Sequence, residues 1–214
     1  MNKRLVIVGA GGFGREVHSW VNTSPRWRAR AGISEIVFVD DEASRVPMRA
    51  PIISTVSDYA PGERDVVICA IGAPKVRREV VEVLRSKDAP TTIFVHDRAI
   101  IGDNVVLGIG TIVCPGVLVS CDVQIGEYVH INIGSTIGHD VSIGDFVTLS
   151  PACNLNGNVT IEGGVFLGTA VSIIPEKRIG ASSIVGAGSV VVKNIPADVT
   201  AFGNPSVVIG RRLG

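Results

Sequence analysis

Aliphatic residues recur at every sixth position through the C-terminal half of the chain. Counted in sixes from Val95 to Val191, all seventeen positions are Val, Ile or Leu. The residue four places after each of them is small or β-branched along the run, with Lys177 as the exception. Two inward-facing residues in six fit a short strand and a sharp turn, and three such units close a triangular coil of about 18 residues. The pattern therefore predicts a parallel β-helix.

The N-terminal part has a different pattern, in which short apolar runs alternate with amphipathic segments. Strands are predicted at Leu5–Val8, Ile36–Val39 and Asp65–Ala70, and helices at Arg15–Val21 and Lys75–Ser86. Strands that alternate with helices favour a small α/β unit with a parallel, Rossmann-like sheet. The sequence thus predicts two domains, an α/β domain at residues 1–92 and a β-helix at residues 93–214.

Composition and charge exclude several classes of partner. The 20 basic and 20 acidic residues balance and form no long run of one sign, which gives no basis for binding nucleic acid or an anionic membrane. No apolar stretch approaches the ~20 residues of a membrane span, and the apolar run at Leu5 is too short for a signal peptide. Four cysteines without a CxxC spacing then favour reduced thiols in a cytoplasmic protein.

A glycine-rich turn follows the first predicted strand. Gly9, Gly11 and Gly14 fit the GxGxxG motif between a strand and a helix, and Asp40 ends the next strand, where an acidic residue that contacts ribose is expected. Three interpretations are open: binding of NAD, binding of a mononucleotide or nucleotide sugar, and a turn that only packs the helix on the strand. Because 92 residues are few for a complete dinucleotide fold, the second interpretation is the most economical.

His139 is the candidate catalytic base. It lies two places after the aliphatic position Ile137, at a corner of the coil where side chains point outward, and Asp140 follows it. An imidazole can take a proton from an amine or hydroxyl that attacks a thioester, and an adjacent carboxylate can orient the ring. The alternative is a solvated corner histidine. His130 would need a third ligand to bind a metal, and neither His18 nor His96 is well placed on the coil, so no metal is expected.

Several motifs together resemble the bacterial nucleotide-sugar acetyltransferases, which include sialic acid O-acetyltransferases and N-acetyltransferases of UDP-linked 4-amino sugars. The resemblance spans the chain and is carried by the unbroken hexads and by GAGGFGRE at 9–16, VDD at 39–41, AIGAPKVRR at 70–78, GHDVSIGDF at 138–146 and GNPS at 203–206. It implies a left-handed parallel β-helix, acetyl-coenzyme A as co-substrate, and a homotrimer whose active sites lie between neighbouring coils.

The resemblance also implies roles for the matching residues. His139 would be the general base, Asp140 its tuning partner, and the backbone N–H of Gly157 would stabilise the oxyanion. The other implied substrate contacts are Asn132 for the acceptor sugar, Gly11, Gly12, Asp40 and Asp41 for its UDP portion, and Gly157, Thr169, Ala187, Gly188, Lys193 and Asn204 for coenzyme A.

Three positions depart from the pattern of the family. Thr148 stands where many members have a second histidine, Phe13 replaces a histidine of the glycine loop, and Ser206 begins a C-terminal segment that lacks the usual lysine. The sequence predicts acetyl transfer from acetyl-coenzyme A to an amine or hydroxyl of a sugar, leaving N- or O-acetylation and the sugar open. The alternatives are the same chemistry on a free sugar or an amino acid, and a trimeric β-helix scaffold without activity.

Overall fold

The computed structural model of the chain describes residues 2–42 and 49–211. The chain divides into two compact units, Met1–Asp97 and Arg98–Gly214. This division lies a few residues after the boundary predicted at residues 92 and 93, and the predicted domain limits at residues 1 and 214 lie outside the described residues.

The first unit is a parallel sheet with helices between its strands, as the alternating pattern predicted. Its described strands pair in the order β3-β2-β1-β4, and all of the pairs are parallel. The four strands of this sheet are β1 (Lys3–Val8), β2 (Ile33–Val39), β3 (Ile52–Ser54) and β4 (Asp65–Cys69), and the short β5 (Phe94–Val95) is not part of it. The helices are α1 (Gly12–Asn22), α2 (Pro25–Ala31) and α3 (Pro74–Arg85).

The burial of β1 shows that this strand lies at the centre of the first unit. The four residues Leu5–Val8 are fully buried, which is typical of a parallel strand covered on both faces. Helix α2 begins with a proline, and its first free N–H groups, those of Arg26 and Trp27, donate to the carboxylate of Asp97 at 2.8 and 3.0 Å. The indole N–H of Trp27 donates to the carbonyl of Ile93 at 3.0 Å. The residues up to Asp97 thus complete the packing of the first unit.

The second unit is the predicted parallel β-helix, with three faces of stacked two-residue strands. Face I contains β6 (Ile100–Ile101), β9 (Leu118–Val119), β12 (Thr136–Ile137), β15 (Asn154–Leu155), β18 (Ser172–Ile173) and β21 (Val190–Val191). Face II contains β7 (Val106–Leu107), β10 (Gln124–Ile125), β13 (Ser142–Ile143), β16 (Thr160–Ile161) and β19 (Arg178–Ile179). Face III contains β8 (Ile112–Val113), β11 (His130–Ile131), β14 (Thr148–Leu149), β17 (Phe166–Leu167), β20 (Ile184–Val185), β22 (Val199–Phe202) and β23 (Val207–Arg211).

The register of the β-helix follows directly from the hexads. Partner residues on adjacent coils lie 18 positions apart, as in the pair Ile137 and Leu155. The aliphatic position of each hexad is the second residue of a strand and points inward, and all of these residues from Val113 to Val191 are buried. The chain then turns through a corner residue with positive φ, such as Asp140 at 59°. The side chains one position before these corner residues therefore stack from coil to coil along each corner of the β-helix.

Candidate active site

His139, Gly157 and Lys193 lie in one column along the edge of the β-helix. Each follows a strand of face I by two residues, and these strands stack in parallel register. We call this edge corner I. The sequence placed these three residues in separate motifs, and the 18-residue coil brings them to the same edge.

The imidazole of His139 is held by its neighbour. Its Nδ1 lies 2.7 Å from Oδ2 of Asp140, and the two side chains are 58% and 54% exposed. When Nδ1 donates its proton to the carboxylate, Nε2 is the nitrogen that can accept another. Asp140 reaches the ring because its own backbone is in the left-handed conformation, which turns the chain at that residue. The pair is therefore an exposed, oriented base.

Gly157 lies directly beside this ring. A Cβ at residue 157 would come within 2.6 Å of both Cε1 and Nε2 of His139, so any larger residue would displace the imidazole. The Gly157 carbonyl accepts a hydrogen bond from the N–H of Glu176 at 3.0 Å. Its own N–H donates to no acceptor in the part of the chain that the structure describes. An open N–H donor thus lies next to a base, which is the combination that acyl transfer requires.

The glycine loop after β1 contains glycines of two kinds. Gly9 has a φ of +101°, and a Cβ on Gly14 would come within 1.8 Å of the Gly9 carbonyl oxygen, so the fold itself requires both. Gly11 has an ordinary φ of −66°, and a Cβ on Gly11 or Gly12 would meet nothing within 4 Å. These two glycines instead leave open space at the N-terminus of α1, where anions bind favourably.

The two aspartates after β2 support the loops around them. Asp40 Oδ2 accepts from the N–H of Ala10 at 2.5 Å, and its Oδ1 accepts from the N–H of Glu42 at 2.8 Å. Asp41 Oδ1 accepts from the N–H of Val56 at 2.7 Å. The structure therefore places Asp40 against the glycine loop, with both of its carboxylate oxygens bonded to backbone N–H groups.

The order of the strands in the sheet reverses between β1 and β4. The chain proceeds from β1 to β2 and β3 on one side of the sheet, and then returns to β4 on the other side. Such a reversal opens a crevice at the carboxyl ends of the two strands, and ligands of open α/β sheets bind there. At this point Gly9 touches the next loop, since its missing Cβ would lie 3.1 Å from the carbonyl oxygen of Ala70 and from the side chain of Ile71.

The remaining residues of the β-helix that were predicted to contact the substrates lie on a different edge. Asn132, Thr169, Ala187 and the turn at Asn204 all follow strands of face III, and we call this edge corner III. Thr169, Ala187, Gly188 and Asn204 are exposed there. Asn132 is buried, and its amide donates to the carbonyl of Leu149 at 2.8 Å. Within one chain, the structure does not bring corner III to His139.

Two of the three positions that depart from the family pattern are buried, and the third is half-buried. Thr148 is buried and is the register partner of the buried His130 on face III. Phe13 packs edge-on against Trp20, with ring centroids 6.0 Å apart. Ser206 is buried, and its N–H donates to the carbonyl of Val190 at 2.8 Å.

Among the described residues, no group of three metal-ligating side chains is present, and no helix is long and apolar enough to cross a membrane.

The sequence analysis missed one neighbour of His139. Asp122 lies one coil before Asp140, accepts a hydrogen bond from the amide of Asn104 at 2.8 Å, and attracts the imidazole of His139 electrostatically. The hydrogen bond from Asn104, one from Cys121 and the charge of His139 lower the pKa of this carboxyl group. Counting back 18 residues from Asp140 would have found Asp122.

Comparison with known proteins gives matches along most of the chain. Residues 4–84 match the family model described as the PglD N-terminal domain. The chain is 32% identical to GDP-perosamine N-acetyltransferase of Escherichia coli O157:H7 over 94% of this chain and 93% of that protein.

Solved structures agree with this match. The acetyltransferase domain of PglB from Neisseria gonorrhoeae, in complex with acetyl coenzyme A, is 27% identical with a TM-score of 0.87, over 98% of this chain and 100% of that one. A histidine variant of perosamine N-acetyltransferase from Caulobacter crescentus, in complex with CoA and GDP-perosamine, is 28% identical with a TM-score of 0.84, over 96% of both chains.

Proposed function

Since this chain belongs to the family of acetyl-coenzyme A-dependent sugar acetyltransferases that includes GDP-perosamine N-acetyltransferase, we propose that it acetylates the amino group of a nucleotide-linked sugar, with His139 as the general base. The observation that carries the proposal is the arrangement at corner I, where an imidazole oriented by Asp140 lies against Gly157. The relatives from Escherichia coli and Caulobacter crescentus are N-acetyltransferases of perosamine, which supports an amine over a hydroxyl as the acceptor.

The proposed reaction is a direct transfer. The sugar nitrogen attacks the carbonyl carbon of the thioester, and Nε2 of His139 takes the proton that the nitrogen loses. The N–H of Gly157 stabilises the negative charge that develops on the carbonyl oxygen. The carbon–sulfur bond then breaks, and the protonated imidazole returns the proton to the sulfur of coenzyme A. Asp140 stabilises the imidazolium between the two transfers, and no step needs a metal.

Two edges of the β-helix would contribute to each active site. The residues implied to contact the sugar and the pantetheine chain, Asn132 and Thr169 among them, lie at corner III, whereas the base lies at corner I. A homotrimer in which corner III of one copy faces corner I of the next would join them. Apolar side chains on the outer surface of face I support such contact, since Ile100 and Leu118 are 63% and 42% exposed.

The two units would have different roles in the reaction. Residues 1–92 would bind the nucleotide through Gly11, Gly12 and the loops that Asp40 and Asp41 hold, and residues 93–214 would bind acetyl-coenzyme A and carry out the transfer. Lys193 and Asn204 would lie towards the nucleotide end of coenzyme A. Both substrates are cytoplasmic metabolites, so we propose a cytoplasmic enzyme that supplies acetylated sugars for surface polysaccharide.

Release of free thiol from acetyl-coenzyme A tests the proposal. The purified chain is incubated with UDP- and GDP-linked 4-amino sugars, with the matching 4-hydroxy sugars, and with the free amino sugars as controls. Mass spectrometry of the product should show one added acetyl group on a nucleotide-linked amino sugar. Acetylation of the free sugar at an equal kcat/KM would contradict the nucleotide part of the proposal, and acetylation of the hydroxy sugar alone would contradict the amine.

A further inference from the structure

Corner I carries carboxylates in two consecutive coils. One position after the column of His139, successive coils have Asn104, Asp122, Asp140 and Asn158. All four residues turn the chain in the left-handed conformation, with φ between 54° and 59°. Asn and Asp both adopt this conformation more readily than other residues with a Cβ, so the backbone explains the residue types but not the two charges. An amide satisfies the same turn in the coils before and after.

The two carboxylates are close enough to repel each other. Residues 18 positions apart stack in parallel register, and neighbouring strands of a sheet are about 4.8 Å apart. The N–H of Asp140 donates to the carbonyl of Cys121 at 3.3 Å, and the N–H of Asp122 donates to that of Asp103 at 3.0 Å, so the two turns have the same backbone geometry. Like charges that face each other on adjacent strands are destabilising. The acid at residue 122 therefore has a cost for the fold.

Neutral donors hold the side chain of Asp122 in its ionised form. The amide of Asn104 donates to its Oδ1 at 2.8 Å. This hydrogen bond and one from the thiol of Cys121, together with the charge of His139, lower the pKa of the carboxyl group. Because an amide carries no charge, Asn104 fixes the position of the carboxylate and leaves its negative charge uncompensated.

The imidazole of His139 is the group that can offset both charges. Its Nδ1 lies 2.7 Å from Oδ2 of Asp140, and it attracts Asp122 electrostatically from the next coil. In the proposed reaction the ring is neutral before it takes a proton from the acceptor, and it is a cation until it returns the proton to coenzyme A. A second carboxylate therefore stabilises the enzyme most when the imidazolium has formed, which lowers the barrier for transfer.

We propose that Asp122 is a positioning residue for acetyl transfer, whose charge stabilises the imidazolium of His139 together with Asp140. The inference rests on the proposed function, since it requires His139 to be the base. Asp122 acts through the ring and need not touch either substrate. The charge at residue 122 should thus have opposite effects on stability and on rate, because it repels Asp140 in the resting enzyme and attracts the imidazolium during the reaction.

The variant Asp122→Asn removes the charge and keeps the shape. An asparagine tolerates the left-handed backbone, and its side-chain oxygen can still accept from Asn104. We expect the melting temperature to stay unchanged or rise slightly, because the repulsion from Asp140 is lost. At ~0.1 M salt, kcat should fall about threefold, as expected for the loss of one exposed charge pair, with KM unchanged for both substrates. A purely structural role would lower the melting temperature and kcat together.

Salt dependence tests whether the effect is electrostatic. The Debye length falls from about 10 Å at ~0.1 M salt to about 3 Å at ~1 M. The ratio of wild-type kcat to that of Asp122→Asn, measured at saturating substrates, should therefore approach one at the higher concentration. A ratio that does not change with salt would contradict an action through charge.

Two further variants separate charge from shape and from position. Glu176 has a φ of 64° in the same column, so a glutamate fits this turn. Asp122→Glu keeps the charge and should retain kcat to within about twofold, even where the melting temperature falls. Asp103→Asn is the matched control, since it removes an exposed charge one coil further from the ring. It should keep wild-type kcat at both salt concentrations.

Combination with His139→Asn distinguishes the inference from the proposed function. In that background Asp122→Asn should leave the residual rate unchanged, because no imidazolium forms. If His139→Asn lowers kcat/KM ~10²-fold or more and Asp122→Asn alone keeps wild-type kcat, the inference is wrong and the proposed function stands. If His139→Asn keeps full activity, the proposed base and the inference both fail.

Discussion

At the residue scale, the candidate chemistry depends on a few atoms at corner I. The ring of His139 contacts Asp140 through Nδ1 and lies where a side chain on residue 157 would be. A glycine at residue 157 therefore has two uses: it leaves room for the imidazole and it offers a backbone donor that a side chain cannot cover. Asp122, one coil away, adds a second negative charge near the ring.

Replacing His139 by asparagine should remove the proposed base and leave the fold intact. The side chain is 58% exposed and packs into no core, so the melting temperature should stay within about 1 °C of wild type. The kcat/KM for the nucleotide sugar should fall ~10²–10⁴-fold, because general base catalysis is lost. Asp103→Asn, an exposed residue two coils earlier in the same column, should retain wild-type kcat/KM. Full activity in the His139 variant would exclude it as the base.

At the element scale, the first unit depends on contacts between strands that are distant in sequence. Arg4 from β1 donates through Nε to Oδ1 of Asp65 in β4 at 2.7 Å, and Tyr59 donates to Oδ2 at 2.9 Å. Burial opposes the charge of Asp65, but the hydrogen bonds from Arg4, Gly62 and Tyr59 outweigh it and lower the pKa of the carboxyl group. The ionised form is thus the form that joins β1 to β4.

This network predicts a pH dependence of the stability of the first unit. A lowered pKa in the folded state stabilises the fold above the unfolded pKa of about 3.9, and the contribution is lost as pH falls through that value towards the folded pKa. Asp65→Asn should therefore lower the free energy of unfolding by about 2 kcal/mol at pH 7, and by less at pH 3. Both tryptophans lie in the first unit, so their fluorescence in urea measures it.

A matched control separates this effect from a general loss of charge. Asp198 is exposed at a corner of the second unit, and Asp198→Asn should leave the fluorescence transition unchanged at both pH values. An Asp65 variant whose destabilisation is as large at pH 3 as at pH 7 would contradict the assignment of the effect to the ionised carboxylate.

The elements of the fold differ in how well the sequence could predict them, and the reasons are physical. The β-helix could be predicted almost completely, since each hexad repeats one local conformation and the same inward residue. Helix α2 could not, because the carboxylate that caps it, Asp97, lies 71 positions from Arg26 in the chain. The hairpin of β22 and β23 was also missed, since it follows the last aliphatic hexad and pairs antiparallel.

The residues of the candidate site also differ in how well the sequence could predict them. His139, Asp140 and Gly157 could be chosen from the pattern and the family, and their contact follows from one coil of 18 residues. The support that Asp40 gives to the glycine loop could not be separated from a ligand contact by motif alone, because both uses need a carboxylate at the end of β2.

At the scale of the whole molecule, the division of the proposed site between corner I and corner III has a consequence that can be measured. His139→Asn removes the proposed base at corner I. Thr169→Trp places a large ring at corner III, where Thr169 is exposed and a bulky side chain can be accommodated without disturbing the core. If one copy supplies the base and its neighbour supplies corner III, each variant alone is inactive, but a mixed trimer contains sites that have neither substitution.

Co-expression of the two variants with different tags, followed by purification on both tags, tests this arrangement. A site is intact when the copy that supplies the base carries Thr169→Trp and its neighbour carries His139→Asn, and every trimer of mixed composition contains one such site. With three sites in each trimer, mixed trimers should therefore recover about a third of the wild-type kcat per trimer. The two pure variants, mixed after purification under conditions that prevent exchange, should stay inactive. Recovery would fail if both corners of one copy formed a site by themselves, because every copy in the mixture carries a substitution in one of its own corners, and that result would exclude a site shared between copies.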